Sequence, residues 1–370
     1  MHKITKVEII PIQIKLKEPF VISRGTITHA ENVAVKIYGE NGLYGVGECS
    51  AFAILTGQTQ ENIVAIGKEL APLLIGQPAT AIKRLMQKID RFIMGNQSIK
   101  SAIDIALYDL NAKLVGLPLY AYLGGSPDKP LFTNMTIGLG DKEVMVARAK
   151  QFVAEGFPIL KVKLGDSNYR KDIERIQAIR AAIGMDHPIR IDANQGWNYV
   201  QAKQVLQALE PFNIQHCEAP LPAGDLLGRI KLRRESPIPI MGDESVFSHQ
   251  DAYRNLAAEA IDLINIKLGK SGGIDNAIKI AAIAEAAGIH CQVGGFLESR
   301  LATAALVHFT LAWDCIVHYD LDVSLLHAEN PVTGDLTFHP DWRVTVSDTT
   351  GHGADFDPDF LRQFEKVTIT

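Results

Sequence analysis

Five short apolar segments, each ending in a charged residue, constrain the fold more than any other feature of the sequence. The charged residues at their ends are Lys163, Asp192, Glu218, Asp243 and Lys267. Successive ends are 29, 26, 25 and 24 residues apart (163 to 192, 218, 243 and 267), about the length of one strand, one helix and two loops. Repeated βα units of this length predict a parallel barrel whose chemistry lies at the C-terminal ends of the strands.

Three further apolar segments complete the predicted barrel. The eight strands are expected at residues 133–137, 159–165, 188–192, 214–218, 238–243, 261–267, 289–294 and 316–320, with helical segments between them. A chain of 370 residues accommodates such a barrel, typically about 250 residues, together with a second and smaller domain. We therefore predict an α/β fold, a modified TIM-type (β/α) barrel, with the barrel domain at residues 126–323.

The first 125 residues have a different pattern. Alternating segments at 6–15, 32–38 and 43–49 predict an antiparallel sheet, and Asn41-Gly42 is a strong hairpin signal. Helical periodicity follows at 59–74, 79–92 and 98–114. Residues 1–125 are thus expected to form an α+β capping domain, with 19–28 as a lid or binding loop. The tail, 324–370, is expected to return to this domain as strands at 342–346 and 364–369.

Composition excludes several classes of protein. The net charge is −5 without a run of Lys or Arg, which argues against nucleic acid as the main partner. Apolar runs stay well short of the 18 residues typical of a membrane span, and the first residues lead into a strand pattern rather than a signal sequence. The four cysteines are scattered without a CxxC pair, which favours reduced thiols over zinc or disulfides. We expect a cytoplasmic protein.

Three of the strand-end residues are acids on successive strands, and they would meet at one rim of the barrel. Asp192, Glu218 and Asp243 could not all stay ionised there without a cation. Hard oxygen ligands without His or Cys point to Mg²⁺, which would keep open positions for water and a substrate oxygen. The alternative is that each acid caps the next helix or pairs with Arg or Lys.

Lysines flank this acidic triad in strand order. Lys163 and Lys267 would approach a bound substrate from opposite faces, so that one could remove a proton from a carbon and the other return one. Lys161 lies two residues before Lys163 and shares its face. An amine acts as a base near neutral pH only if its pKa falls, and we expect burial, Lys161 and the metal to lower it. A lone strand lysine would instead suggest a surface or ion-pair role.

The combination of these motifs resembles the enolase superfamily, in its muconate-lactonizing subgroup. The segments that carry the resemblance are Lys161-Val162-Lys163, Asp192-Ala193-Asn194, Glu218-Ala219-Pro220, Gly242-Asp243-Glu244-Ser245 and Ile266-Lys267. The resemblance implies that Asp192, Glu218 and Asp243 bind Mg²⁺ and that Lys163 and Lys267 are the acid/base pair. Lys161 would stabilise an enolate. The shared first step is removal of a proton α to a carboxylate.

A second motif narrows the expected reaction. In His318-Tyr319-Asp320-Leu321-Asp322, the two aspartates share one face at the end of the last barrel strand. This Asp-x-Asp resembles the dipeptide epimerases of the subgroup, where it holds the amino terminus of a dipeptide; the alternative is loop solvation or a helix cap. The resemblance implies inversion of the C-terminal α-carbon of an Ala-Xaa dipeptide by two lysines, without an organic cofactor. The small-molecule dipeptide is the expected partner, with a possible homo-oligomer.

The side chain of Xaa is less constrained by the sequence. A small or hydrophobic Xaa, as in D-Ala-D-Ala, is favoured by two apolar features of the sequence. One is the pair Phe296 and Leu297, followed by Glu298 at a strand end, and the other is the apolar residues of the 19–28 loop. The resemblance to relatives that act on L-Ala-D/L-Glu implies that Arg24 could instead pair with a glutamate carboxylate; the alternative is that Arg24 stabilises its own loop. Thr136 is a further candidate contact.

Other functions stay open from the sequence alone. They are a cycloisomerase, an o-succinylbenzoate synthase or an N-acylamino acid racemase of the same superfamily, and a non-catalytic barrel with a structural metal. Substrates of the first three kinds lack an ammonium group, so Asp320 and Asp322 would be unfavourable beside them. Cell-wall peptide metabolism is the expected context for a dipeptide epimerase.

Overall fold

The computed structural model describes residues 2–334 and 336–370. Its strands are β1 (Ile4–Ile22), β2 (Gly25–Gly39), β3 (Tyr44–Ser50), β4 (Leu131–Phe132), β5 (Met135–Ile137), β6 (Leu160–Lys163), β7 (Ile189–Asp192), β8 (Ile214–Glu218), β9 (Ile240–Gly242), β10 (Leu263–Ile266), β11 (Cys291–Val293), β12 (Ile316–Tyr319), β13 (Val332–Thr333), β14 (Thr337–Phe338), β15 (Arg343–Thr345), β16 (Asp355–Phe356) and β17 (Val367–Ile369).

The α-helices alternate with the barrel strands and also cover the N-terminal sheet. They are α1 (Ala53–Thr56), α2 (Gln60–Leu70), α3 (Ile82–Phe92), α4 (Gln97–Val115), α5 (Leu119–Tyr122), α6 (Lys142–Ala154), α7 (Tyr169–Ile183), α8 (Tyr199–Leu209), α9 (Leu226–Glu235), α10 (His249–Ala257), α11 (Leu268–Ser271), α12 (Ile274–Ala286), α13 (Arg300–Thr310) and α14 (Pro358–Leu361). Among the residues described, no helix combines the length and apolar character needed to cross a membrane.

The N-terminal sheet is antiparallel, with strand order β17-β1-β2-β3, so the end of the chain adds an edge strand as expected. Helix α4 packs directly against β3, and its residues from Ser98 to Ala112 are buried. The approach is so close that a Cβ on Gly45 or Gly47 would lie about 2 Å from a backbone oxygen of α4 (1.9 and 2.1 Å). Glycine is therefore required at both positions of β3.

The segment 19–28 differs from the sequence prediction. It is not a loop: β1 and β2 continue as paired strands to a tight turn at Ser23-Arg24, with Phe20 opposite Ile27. The register shifts between Lys15 and Phe20, and such an irregularity interrupts the alternation on which the prediction depended. The hairpin predicted at Asn41-Gly42 is confirmed, with Gly42 at φ 79°.

The barrel consists of strands β5 to β12 in one parallel sheet, in sequence order, and this confirms the predicted architecture. The first and last strands approach each other where the backbone N–H of Asn134 donates to the Tyr319 carbonyl oxygen at 3.4 Å. Strand β4 lies just before the first predicted barrel strand and pairs with β15 in a separate antiparallel sheet. The tail strand predicted near 342–346 thus joins this small sheet and not the N-terminal one.

Two buried carboxylates of the N-terminal region cap barrel helices. Glu48 on β3 accepts hydrogen bonds from the backbone and hydroxyl of Ser299, at 2.9 and 2.6 Å, at the start of α13. Asp104 on α4 accepts hydrogen bonds from the backbone of Ile274 and Asp275 at the start of α12. A carboxylate satisfies the free N–H groups of a helix start and interacts favourably with its dipole. These contacts hold the sheet and its helices over the barrel mouth.

We expect a Glu48→Ala substitution to lower the free energy of unfolding by about 1–3 kcal/mol, because buried donors at the start of α13 lose their acceptor. Chemical denaturation measured by circular dichroism would give the difference. Glu69→Ala, at an exposed site on α2, is the control and should change little. Equal stability of the two variants would show that the Glu48 contact does not hold the domains together.

Candidate active site

The strand-end residues converge at the mouth of the barrel, as the repeat predicted. Lys163, Asp192 and Glu218 are paired in register on β6, β7 and β8, while Asp243 and Lys267 directly follow β9 and β10. All five are buried: the acids are at most 1% exposed and the two lysines at most 6%. They are buried because parallel strands point these side chains inward, beneath the N-terminal region.

Ion pairs connect the lysines to the acids. Lys163 Nζ lies 2.6 Å from Asp192 Oδ2, and Lys267 Nζ lies 2.8 Å from Asp243 Oδ2. Lys161 Nζ lies between Asp192 (3.3 Å) and Glu218 (2.8 Å). Each acid therefore has a lysine partner, the pairing that the sequence left open as an alternative. The same pairs place the amines directly beside the carboxylates.

The electrostatics of the cluster follow from burial and these pairs. Burial acts to raise the pKa of Asp192 and Asp243, but the adjacent lysines outweigh it and hold both pKa values below their usual range. Burial acts to lower the pKa of Lys267, but Asp243 and Glu218 outweigh it and raise that pKa above its usual value. The expectation of a lowered pKa is therefore wrong for Lys267 while the carboxylates carry their full charge.

The donor set fits Mg²⁺ in chemistry. Three buried carboxylates from adjacent strand ends supply hard oxygen ligands, and Asp243 Oδ1 has the ammonium of Lys270 as an ion-pair partner at 2.8 Å. Within residues 2–334 and 336–370, however, no three His, Cys, Asp or Glu side chains are already grouped as a metal cluster.

Several polar residues that hold the acids were missed in the sequence. Asn265 Nδ2 and Gln292 Nε2 donate to the two oxygens of Glu218, at 2.9 and 3.0 Å. Lys270 is buried on α11 and its Nζ contacts both a side-chain oxygen and the carbonyl oxygen of Asp243, at 2.8 and 2.6 Å. Spacing could have found Asn265, because it lies two residues before Lys267, on a strand that faces the barrel interior.

We expect Asn265→Leu to weaken Mg²⁺ binding about 10–100-fold, because Glu218 loses a donor that fixes its orientation. Isothermal titration of the metal-free protein with MgCl₂ would measure the change. Asn111→Leu is the matched control, since Asn111 is also buried but its amide donates to backbone carbonyls within the N-terminal region. Unchanged Mg²⁺ affinity in Asn265→Leu would argue that Glu218 is not a metal ligand oriented by Asn265.

A cavity with about 420 Å³ of empty volume opens beside the lysines. Lys161, Lys163 and Lys267 line it together with Asp320 and Asp322. The rest of its wall is mainly apolar, and its larger apolar side chains are Phe20, Ile22, Phe52, Leu55, Phe296 and Leu326. The rings of Phe52 and Phe296 are stacked at 5.2 Å, which fixes one side of the wall.

The candidate substrate-binding residues separate into two groups. Thr136 and Phe296 lie in the cavity wall with the two aspartates. Leu297 and Glu298 do not reach it: the Leu297 carbonyl turns toward Asn32, and Glu298 folds back to accept the Phe296 N–H at 2.6 Å. Arg24 is exposed at the β1–β2 turn and is not part of the wall either.

Asp320 and Asp322 differ in their surroundings. Asp320 accepts hydrogen bonds from Lys161 Nζ and Asn134 Nδ2, both at 2.7 Å, and burial is outweighed by Lys161, so its pKa is low. Asp322 accepts the Thr136 N–H at 2.6 Å, and burial together with the charge of Asp320 raises its pKa to about 7. The two carboxylates thus lie on one wall of the cavity, and Asp320 is already paired with Lys161.

Comparison with protein families agrees with this geometry. Residues 4–124 match the mandelate racemase/muconate lactonizing enzyme N-terminal domain, and residues 144–360 match the enolase C-terminal domain-like family. The chain belongs to the enolase superfamily. The resemblance drawn from the strand-end motifs is thereby confirmed.

The chain aligns over nine-tenths or more of its length with individual relatives. It is 44% identical over 366 residues to a D-Ala-D/L-Ala epimerase of Cytophaga hutchinsonii, covering 99% of each sequence. It is 37% identical to an L-Ala-D/L-Glu epimerase of Bacillus subtilis, covering 91% of this chain and 92% of that one. The crystal structure of a Cytophaga hutchinsonii dipeptide epimerase complexed with Mg and D-Ala-L-Val superimposes over 100% of both chains, with a TM-score of 0.98 and 44% identity.

Proposed function

We propose that the protein is a Mg²⁺-dependent dipeptide epimerase that inverts the C-terminal α-carbon of Ala-Xaa dipeptides. The observation that carries the proposal is the cavity itself, which has lysines from β6 and from the end of β10 and an aspartate pair in the same wall. The acids between those strands would hold the metal. Similarity to relatives that are named dipeptide epimerases supports it.

Each residue has a role in this reaction. Asp192, Glu218 and Asp243 would hold Mg²⁺, which supplies the positive charge that makes the proton α to a carboxylate acidic. Lys163 and Lys267 exchange the α-proton at their Nζ atoms, one as base and the other as acid. Lys161 places a further ammonium beside the developing negative charge. The apolar side chains of the wall, among them Phe52 and Phe296, limit the access of water to the reacting carbon.

Asp320 and Asp322 would bind the ammonium of the dipeptide's first residue. Their placement in the wall disfavours the cycloisomerase, o-succinylbenzoate synthase and N-acylamino acid racemase alternatives, because those substrates offer no cation to two buried carboxylates. A structural metal in a non-catalytic barrel is disfavoured as well, since it has no use for lysines in the cavity wall.

The apolar wall favours a small or hydrophobic Xaa, such as alanine or valine. Among the described residues that form the wall, the cations are Lys161, Lys163 and Lys267, and in this proposal all three serve the chemistry. A glutamate side chain would thus enter an apolar site without a dedicated partner. The proposed substrates are D-Ala-D-Ala and related dipeptides.

A library of Ala-Xaa dipeptides, incubated with MgCl₂ in D₂O and analysed by mass spectrometry, tests the assignment. We expect uptake of one deuterium for small and hydrophobic Xaa. Absence of uptake across the library, with turnover of an N-acyl amino acid or a muconate, would overturn the proposal in favour of another reaction of the superfamily.

L-Ala-D/L-Glu is the second candidate substrate, and one contact favours it. The Ser23 hydroxyl donates to the Asn194 carbonyl at 3.0 Å, so the β1–β2 turn, with Arg24 next in sequence, rests on the barrel rim near Asp192. If Arg24 pairs with a substrate carboxylate, Arg24→Ala should raise KM for L-Ala-L-Glu about 10-fold or more and leave L-Ala-L-Val unaffected. If the KM of the variant for each dipeptide equals that of the wild type, Arg24 does not contact the substrate.

We also propose that the protein is located in the cytoplasm. All four cysteines are free thiols, as expected for a reducing compartment, and this supports the cytoplasm. Peptides released from the cell wall would be a source of D-Ala-D-Ala there. A homo-oligomer stays a prediction.

A further inference from the structure

Side chains complete the seam between the first and last barrel strands. The Thr136 N–H donates to Asp322 Oδ2 at 2.6 Å, and the Leu321 N–H donates to Thr133 Oγ1 at 3.1 Å. Asn134, which lies just before β5, donates from Nδ2 to Asp320 Oδ1 at 2.7 Å. The aspartates proposed to bind the substrate amine are therefore held by residues from the opposite end of the barrel sequence.

The amide of Asn134 has only one satisfactory orientation. Asn134 is fully buried, and its Oδ1 lies 3.3 Å from Nη1 of Arg190. A guanidinium can only donate, so the oxygen must face Arg190 and the NH₂ group must face Asp320. The opposite orientation would place the amide oxygen against a carboxylate and the NH₂ group against a cation.

Arg190 is itself fixed. It is 2% exposed on β7, and it donates from Nε to Gln215 Oε1 and from Nη2 to His318 Nδ1, both at 3.0 Å. Burial lowers the pKa of His318 to about 3, and a neutral imidazole can accept this bond. The guanidinium is thus held by Gln215 and His318, and its third contact orients Asn134.

Asp320 receives one donor at each oxygen. Asn134 holds Oδ1 and Lys161 holds Oδ2, and each carboxylate oxygen retains a lone pair for a further donor. With one donor removed, the carboxylate could rotate toward the lysines. Its position in the cavity wall therefore depends on both neighbours.

We propose that Asn134, oriented by Arg190, is a positioning residue for Asp320 and hence for the amino terminus of the substrate. This inference rests on the proposed dipeptide epimerase function. Asn134 does not line the cavity, so it acts through the aspartate and not by contact with the dipeptide.

The test compares Asn134→Leu with the wild type, using D-Ala-D-Ala and N-propionyl-D-Ala, which has the same amide but lacks the ammonium. We expect KM for D-Ala-D-Ala to rise about 10–100-fold with a smaller change in kcat, because a charge-assisted contact is misplaced. N-propionyl-D-Ala serves as a competitive inhibitor, and its Ki should change less than threefold. A uniform change for both compounds, or none for D-Ala-D-Ala, would overturn the proposal.

Two further variants separate positioning from folding. Asn111→Leu removes an equally buried asparagine from α4 and should lower stability without changing KM. Arg190→Lys retains the charge but loses the planar fork, and we expect a KM increase of about 3–10-fold for D-Ala-D-Ala alone. If Asn134→Leu does not fold, an Arg190→Lys protein with wild-type KM would overturn the proposal. Failure of the wild type to label any dipeptide would instead overturn the proposed function.

Discussion

Lys163→Ala and Lys267→Ala are each expected to lose epimerisation by about 10³-fold or more, since each removes one partner of a two-base proton transfer. The two variants should nevertheless differ in a partial reaction. A single remaining lysine can remove the α-proton that faces it and return a deuteron from solvent to the same face. Each variant should therefore exchange the α-hydrogen of one epimer and leave the other epimer unlabelled.

The design uses both epimers of one dipeptide, L-Ala-L-Ala and L-Ala-D-Ala, in D₂O with ¹H NMR. The expected pattern is reciprocal: the epimer that exchanges with Lys163→Ala is not the one that exchanges with Lys267→Ala. Lys129→Ala is the control variant and should keep full epimerisation. Lys129 lies outside the cavity, where its Nζ donates to backbone carbonyl oxygens, including that of Trp313 at 2.7 Å. Full epimerisation by either active-site variant, or exchange of the same epimer by both, would refute the assignment.

Removal of the metal is expected to abolish both exchange and epimerisation, by about 10³-fold or more, with the fold retained. Lys267 pairs with Asp243, and burial is outweighed by Asp243 and Glu218, so that the pKa of Lys267 lies above its usual value unless a cation neutralises those acids. An ammonium in this state cannot act as a base near neutral pH.

EDTA treatment followed by gel filtration tests this expectation, with circular dichroism to follow the fold and added MgCl₂ to restore activity. Restoration by Mg²⁺ but not by NaCl of the same ionic strength would separate a specific site from general screening. Turnover at the original rate in protein shown by elemental analysis to be metal-free would contradict the account.

The strand-end residues could be predicted because the barrel repeats a simple pattern. Each βα unit returns the chain to the same rim, so residues spaced 24 to 29 positions apart, such as Asp192 and Glu218, become neighbours. Their candidate roles were proposed from residue type together with the family resemblance. Asp320 and Asp322 were expected on one face from the alternation of side chains along a strand, and although both follow the end of β12 at Tyr319, both line the cavity.

Contacts that depend on the path of the chain after a strand could not be predicted in this way. Glu298 follows a barrel strand like the metal-binding candidates, yet it turns back to its own backbone at Phe296. The segment 19–28 seemed a loop because pairing in a hairpin is not visible when the register shifts. Asn134 contacts Asp320 from 186 positions away, across a seam that no periodicity describes.

The most direct test of the central claim is the position of the label when the wild-type enzyme epimerises D-Ala-D-Ala in D₂O with Mg²⁺. Tandem mass spectrometry distinguishes the two alanines. The account predicts one deuterium on the C-terminal α-carbon of every inverted molecule and none on the N-terminal alanine. Inversion without deuterium, or label on the N-terminal α-carbon, would contradict it.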